Sequence, residues 1–344
     1  MAMPLKKTFI LPPDLHAAEP PELRGMRRDQ VKLMVTDTRT NTLEHTQFFH
    51  LDRYLQSGDV LILNNSRTIP AVVKAMITRK GSVIAEAKEV RFARKHRDNT
   101  WEVLILHDEI KVGDCLIFSD GHLWAEVSDE VERTPLWKIV FQQSDESVLH
   151  YLYQKGEPVR YEYTKHALDL EFYQTVYASV PGSVEMPSAG RAFTWELLFR
   201  LQRKGVKLAF IQLHTGLSFL LDEYWPVKPE TNPETYHIPA EAIELVHQAK
   251  KEGKRVIAVG TTVVRALESA LQTGENTGMT NLYIGPDYQL KAVDGILTGL
   301  HEPEASHLDM LAAFINSNLL LNTYEEAIQK GYLWHEFGDM NLII

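Results

Sequence analysis

The rhythm of hydrophobic and polar positions changes partway along the chain. From Val31 to about Phe141, short apolar runs alternate with polar residues and are broken by turn formers, the period-two signature of strands with one buried face. LMVTDTR and LEHTQFF flank Thr40-Asn41 as a hairpin. VLILNNS follows Ser57-Gly58-Asp59, and AVVKAMITR meets SVIAEAKEVRFA at Lys80-Gly81. TWEVLIL, DCLIF, HLWAEV and PLWKIVF follow, spaced by turns such as Ser119-Asp120-Gly121. Many short strands at near-regular spacing predict a small barrel or sandwich.

Beyond residue 144 the period lengthens. A helix is expected over 146–155, closing at Gly156, followed by an extended PVRYEYT. The stretch PGSVEMPSAGRAFT (181–194) has two prolines and two glycines among small polar residues, so it reads as loop. It leads into a helix over 195–204 with Thr194 as its cap. Next come a strand over 206–213, a proline-rich excursion over 217–239 and a helix over 240–252. A strand over 256–259, a helix beyond Gly260, a strand over 281–284 and helices near 306–318 and 323–330 complete the chain. This β-α-β order predicts an α/β fold with a mostly parallel sheet covered by helices.

RVIAVGTTVVRALES (255–269) concentrates the argument. A buried strand turns at Gly260, whose missing Cβ opens conformations closed to other residues, and Thr261 or Thr262 can cap the helix. Val263, Val264, Leu267 and Leu271 share one helical face. A helix start of this kind holds phosphate or carboxylate, and Arg265 can add a charge-assisted bond. The same text also fits an ordinary packed strand–turn–helix with Arg265 in solvent. Ligands of parallel sheets sit beyond the carboxyl ends of the strands, where His214, Thr261 and Thr262 are expected. Glu185, Ser188 and Arg191 occupy a loop bounded by regular structure, a common place for binding residues.

Three polar knots gather histidines and, in two of them, carboxylates: His214-Thr215-Gly216; His301-Glu302-Pro303 with Ser306, His307 and Asp309; and His335-Glu336-Phe337-Gly338-Asp339. Histidine beside carboxylate suits general acid–base work. Each histidine is equally readable as a packed residue bonded to backbone. His301 and His307 are six apart and lack the i, i+4 spacing of a helical metal pair, so no metal is expected. No GxGxxG follows a strand and there is no GxxxxGK[ST], so neither a Rossmann fingerprint nor a P-loop is present.

Composition narrows the classes. A net charge of −10, from 36 basic and 46 acidic residues, argues against a dedicated nucleic-acid-binding protein. It leaves room for local basic runs such as Arg24, Arg27, Arg28 and Lys32, or Arg91, Arg94, Lys95, His96 and Arg97. The single cysteine, Cys115, permits neither an intrachain disulfide nor a cysteine metal site. The chain's 344 residues suffice for two domains. No leader-like or membrane-spanning stretch is evident, and a cytoplasmic protein is expected.

The ordered motifs together resemble the S-adenosylmethionine:tRNA ribosyltransferase-isomerase family of queuosine biosynthesis. They include LPPDL at Leu11, RRD at Arg27, HLDRYLQSGDVLILNNSRTIPA at 50–71, YQTVYA at 173–178 and MPSAG at 186–190. KGVKLAFIQLHTGL at 204–217, RVIAVGTTVVRALES, LHEP with ASHLDML at 300–311, and FGDMNLI at 337–343 complete the match. The resemblance implies an α/β catalytic domain (1–60 and 155–344) with a β-barrel-like domain inserted at 61–154. It further implies transfer and isomerisation of the ribosyl group of S-adenosylmethionine onto 7-aminomethyl-7-deazaguanine in tRNA, releasing adenine and methionine. S-adenosylmethionine is then a substrate, with no prosthetic group. The expected partners are tRNA and this donor, not a membrane, and the expected state is a monomer or weak homo-oligomer.

Expected roles follow. His214 or His301 is general base or acid. Thr261, Thr262 and Arg265 hold the methionine carboxylate or another anion. Glu185, Ser188 and Arg191 shape the substrate loop, and Asp339 with His335 orients a catalytic partner. The chain also departs from the family. Ser188–Thr194 reads SAGRAFT where Thr-Ala-Gly-Leu-His-Phe-Thr is usual, and 214–220 reads HTGLSFL for His-Val-Gly-Leu-Gly-Thr-Phe. EPVRYEY at 157–163 replaces Pro-Leu-Pro-Pro-Tyr-Ile, and GLHEPEASH at 299–307 replaces Asn-Phe-His-Leu-Pro-x-Ser-Thr. These changes keep two rivals open: the same donor with a different acceptor, and a non-catalytic protein binding S-adenosylmethionine or tRNA.

Overall fold

In the computed structural model, residues 9–96, 98–118, 121–161, 163–218, 232–303 and 305–344 are described. Expectations for the amino-terminal residues 1–8, Arg97, Ser119-Asp120, Glu162, most of the 217–239 excursion and Glu304 lie outside them. After one-turn helices over 13–30, strands β1 (Lys32–Asp37) and β2 (Thr42–Gln47) form the expected hairpin, with Asn41 at φ 53° in its turn. Asparagine tolerates that left-handed conformation. Then come β3 (Val60–Asn64) and the short β4 (Ser66–Thr68).

The next six strands are β5 (Val72–Arg79), β6 (Ser82–Lys95), β7 (Thr100–Ile105), β8 (Cys115–Phe118), β9 (Leu123–Glu130) and β10 (Leu136–Phe141). They close into an antiparallel barrel in the order β10-β7-β6-β5-β8-β9. Phe92, Trp101, Phe118 and Phe141 fill it, with Phe92 edge-on to Trp101 at 5.0 Å between ring centres. Helix α1 (Asp145–Lys155), capped by the Ser144 side chain, adds Val148 and Leu152 to the same core.

The chain then returns through β11 (Val180–Ser183), paired with β4, to α2 (Trp195–Lys204) and β12 (Lys207–Leu213). Thr194 caps α2 as expected, accepting a bond from Leu197 N at 3.2 Å. After β13 (Glu234–His237) come α3 (Ala240–Lys251), β14 (Val256–Val259) and α4 (Thr261–Thr273). The last elements are β15 (Thr277–Thr280), β16 (Gly295–Gly299), α5 (Ser306–Leu311), α6 (Ser317–Gln329) and β17 (Met340–Ile343).

Among the described residues a nine-stranded sheet runs β15-β13-β12-β3-β14-β16-β17-β1-β2. Its centre, β12-β3-β14-β16, is parallel. Following the pairings outward, six of the nine strands share one direction; β13, β17 and β1 oppose it. Val60, Ile62, Val256 and Ala258 face the core built with α3, α4 and α6, while Leu61, Leu63, Ile257 and Val259 face the one built with α2. Strands covered on both sides read as unbroken apolar runs, which is why β3 and β14 were plain in the sequence.

Several expectations are corrected. No strand occupies 281–284, where coil carries the Tyr283 hydroxyl to Asp309 at 2.7 Å. Instead β13, β15, β16 and β17 build the sheet's flank and middle; each has only four or five residues, too few for a period to show. The helix expected over 306–318 breaks into α5 and α6 because the Asn316 side chain caps a new start, accepting from Asn318 N at 2.9 Å. Gly260, not Thr261 or Thr262, is the residue before α4. Leu271 lies on the exposed side of that helix. Strand β3, placed in the insert by the 61–154 boundary, is central to the sheet, and the barrel strands begin at Val72. No helix among the described residues is long and apolar enough to cross a membrane.

Candidate active site

The site begins with Gly260. At φ 93° it turns the chain off β14, and a Cβ there would stand 3.1 Å from Ala189. The turn brings the amino end of α4 against the 185–190 loop without a side-chain cap on that end. Thr215 and Gly216 follow β12, and Thr298 and His301 lie at the end of β16. Together these segments line a cavity of about 230 Å³ beyond the carboxyl ends of three parallel strands.

The cavity has two kinds of wall. Thr261, Thr262 and Arg265 line it with the partial positive charge of a helix start. Arg265 is neither solvated nor unpaired: it forms an ion pair with buried Glu234, which also lines the cavity. Glu185, Glu336, Tyr161 and Tyr283 line it as well. Glu185 accepts from Ser218 N at 2.7 Å and Ser218 Oγ at 2.6 Å, tying the two loops together. Burial pushes the Glu336 carboxyl up to about 7, and its Oε2 has no hydrogen-bond partner among the described residues.

His301 lines the cavity with Nε2 2.8 Å from Thr298 Oγ1 and its ring stacked on His307 at 4.6 Å. Burial, with His307 and His335 adding to it, holds its pKa well below that of free histidine. A neutral imidazole results, able to accept a proton if a ligand raises its basicity.

Glu185, Ser188, Thr261, Thr262, Arg265 and His301 are therefore brought together. His214, Arg191, Asp339 and His335 are not among the lining residues. His214 Nδ1 bonds Ser66 Oγ at 2.7 Å, Ser66 bonds Ser183 at 2.6 Å, and burial pushes the imidazole down to about 4. Arg191 is buried, bonded to Glu22 and the Phe172 carbonyl at 2.8 Å each, and packed 5.0 Å from the Phe337 ring centre. Asp339 accepts from Lys32 N at 2.6 Å and Leu333 N at 2.8 Å, fastening β1 to the carboxyl-terminal turn. His335 stacks on Tyr163 at 4.1 Å.

Sequence reasoning missed Tyr161, Glu234, Tyr283 and Glu336 as cavity walls, while His307, readable in its knot as a residue that caps or contacts a ligand, does line the cavity. Of the four missed, only Glu336 gave a signal, by sitting in a polar knot already noted. Both basic runs are largely neutralised. Arg27 pairs with Asp29 and Glu196, Arg28 with Glu22, Arg91 with Glu89, Arg94 with Glu102 and Lys95 with Asp145.

Comparison with known proteins decides the lineage. A family model described as queuosine biosynthesis protein matches residues 6–343. The chain belongs to the queuosine biosynthesis protein family. The S-adenosylmethionine:tRNA ribosyltransferase-isomerase of Carboxydothermus hydrogenoformans is 38% identical over 347 residues, 98% of each chain. The protein of that name from Thermotoga maritima is 33% identical over 346 residues, again 98% of each. The crystal structure of a Thermotoga maritima S-adenosylmethionine tRNA ribosyltransferase covers 98% of this chain and 99% of its own, at 29% identity and a TM-score of 0.56. The mixed sheet with its antiparallel barrel is thus the fold of this family.

Proposed function

We propose that this queuosine biosynthesis family member is an S-adenosylmethionine:tRNA ribosyltransferase-isomerase, moving the ribosyl group of its donor onto 7-aminomethyl-7-deazaguanine in tRNA. The observation that carries the reading is the polarity of the cavity. S-adenosylmethionine is anionic at its carboxylate and cationic at its sulfonium. The amino end of α4 with Arg265 suits the carboxylate. Glu185, Glu336 and the two tyrosine rings suit the sulfonium.

The sulfonium acidifies the adjoining 5′ carbon, so one base starts loss of adenine, and an acid protonates the departing base. His301 faces the cavity and takes one of these roles; His214, held behind β4 and β11, supports the loop. Glu185 and Ser188 shape the acceptor side, while Arg191, Asp339 and His335 hold the surrounding segments in place. The donor is a consumed substrate rather than a resident cofactor. We take the protein to act on tRNA in the cytoplasm as a monomer or weak homo-oligomer, with the barrel as an inserted domain.

A second reading keeps the donor and changes the acceptor. It is favoured by the cavity-lining His301, Ser306 and His307, which belong to a segment altered from the family pattern. Mass spectrometry of adenine and methionine release, with and without tRNA carrying the 7-aminomethyl-7-deazaguanine base, separates the readings. Release that depends on this tRNA, with the matching mass gain on the base, supports the first. Release without modification of that tRNA supports the second. Binding without release overturns both.

A further inference from the structure

We propose that His16, His335 and Glu302 form a binding site for one divalent first-row transition-metal ion, of which zinc is the representative. His16 Nδ1 and His335 Nε2 face each other at 2.5 Å, and Glu302 Oε1 stands 3.7 Å from the same His335 nitrogen. These three donor atoms all lie within 4.8 Å of one another. The residues come from three distant parts of the chain, the first just after residues 13–15 and the others from the loops after β16 and α6.

Backbone contacts, rather than chance side-chain positions, bring the donors together. A bridge pairs His16 with Trp334, closed by Trp334 N to Leu15 O at 2.8 Å and Ala17 N to Trp334 O at 3.2 Å. Trp334 Nε1 then bonds the His301 carbonyl at 3.0 Å, drawing the next residue, Glu302, to the pair. His335 is held at φ 72°, a left-handed conformation uncommon for a residue with a Cβ and often found at functional sites. Tyr163 stacks flat on its ring, with 10° between the planes.

The donor set decides the class of ion. Two imidazoles and one carboxylate suit zinc and its first-row neighbours, whereas calcium and magnesium demand oxygen ligands. Nitrogens sharing a tetrahedral ion at about 2.05 Å stand about 3.3 Å apart, so the rings open by about 0.8 Å on loading. Three protein donors leave a fourth position for water or another ligand. The site lies behind the cavity wall: His301 adjoins Glu302 and Glu336 adjoins His335, and both line the cavity. A bound ion therefore clasps the two segments that carry these residues. The inference stands whichever acceptor the enzyme uses.

The test uses the full chain without a histidine tag, stripped with a chelator and dialysed against zinc at neutral pH. Metal content is read by elemental mass spectrometry, and cobalt substitution by visible absorption. One ion per chain is expected, with a rise in Tm on adding zinc. His16→Ala and His335→Asn each weaken binding at least about tenfold, since even losing a partner outside the ligand shell costs about 10–100-fold. Asparagine tolerates the φ of His335, so that variant keeps the backbone. His150→Ala, on the exposed surface of α1, leaves binding unchanged. If the stripped protein takes up no zinc, the His16–His335 contact is a hydrogen bond only, and the proposal is overturned. Equal uptake by wild type and both ligand variants overturns it as adventitious binding.

Discussion

The barrel and the open sheet solve opposite problems with the same chain. In the barrel every strand has two neighbours, the interior is filled by aromatic rings, and buried Glu102 is met by Arg94 and His96. Closure leaves no edge, although Trp101 Nε1 and Arg94 Nε are buried there without a hydrogen-bond partner among the described residues. The sheet, closed on both faces by helices and loops, is left open at the carboxyl ends of β12, β14 and β16. There Glu336 keeps an oxygen without a hydrogen-bond partner among the described residues, and Gly260 presents a helix start without a side-chain cap. The comparison teaches that stability and chemistry are segregated: the barrel fills its interior with apolar side chains, and the sheet keeps a cavity lined by polar groups at its strand ends.

The sharpest way to break the comparison is His301→Ala. Turnover should fall by about 10²–10⁴-fold, the usual contribution of an acid or base, with little change in Tm. Near-normal adenine release would make His301 a packing residue. Phe92→Ala should do the reverse, costing about 3–5 kcal/mol of stability in urea unfolding while the folded fraction binds donor normally. A loss of donor affinity in that variant would show that the barrel and cavity are coupled.

Arg265→Ala should weaken donor binding by roughly 10–100-fold, from loss of a charge-assisted bond. Because it also leaves Glu234 buried without its cation, Arg265→Ala with Glu234→Gln is the control that separates binding from stability. An unchanged donor constant in both would remove Arg265 from the site.

The smallest effect concerns pH. His214 is held near 4 in the folded chain and rises to about 6.5 when unfolded. The unfolded state therefore binds the proton first. The stability from this group is complete above about pH 6.5 and is lost as pH falls toward 4. His214→Asn should flatten Tm against pH across that window relative to wild type. Equal slopes would mean that the ring is more solvated than its bonds to Ser66 suggest.

Much of the fold was legible because its pattern is local. The β1–β2 hairpin, the barrel strands, α1 with its Gly156 end, α2 with its Thr194 cap, and the β14–Gly260–α4 turn each carry their own signal within about ten residues. Strands β13, β15, β16 and β17 do not. GILTG and MNLI become strands only because the sheet offers each a partner. The cavity was half legible for the same reason. Thr261, Thr262 and Arg265 share one turn, and the 185–190 loop announced itself by composition. Glu234, Tyr161 and Tyr283 were invisible in the sequence.

The sequence by itself determined the period of each long element, its caps and turns, and the family motifs that name the lineage. Only the tertiary structure decided which polar residues share a space. It turned Arg191 from a loop cation into a buried strut, and it brought His16 against His335 across 319 positions of chain. The physical reason is range. Periodicity and capping depend on neighbours a few residues apart, whereas a shared cavity depends on strand order and register, which no short window of sequence contains.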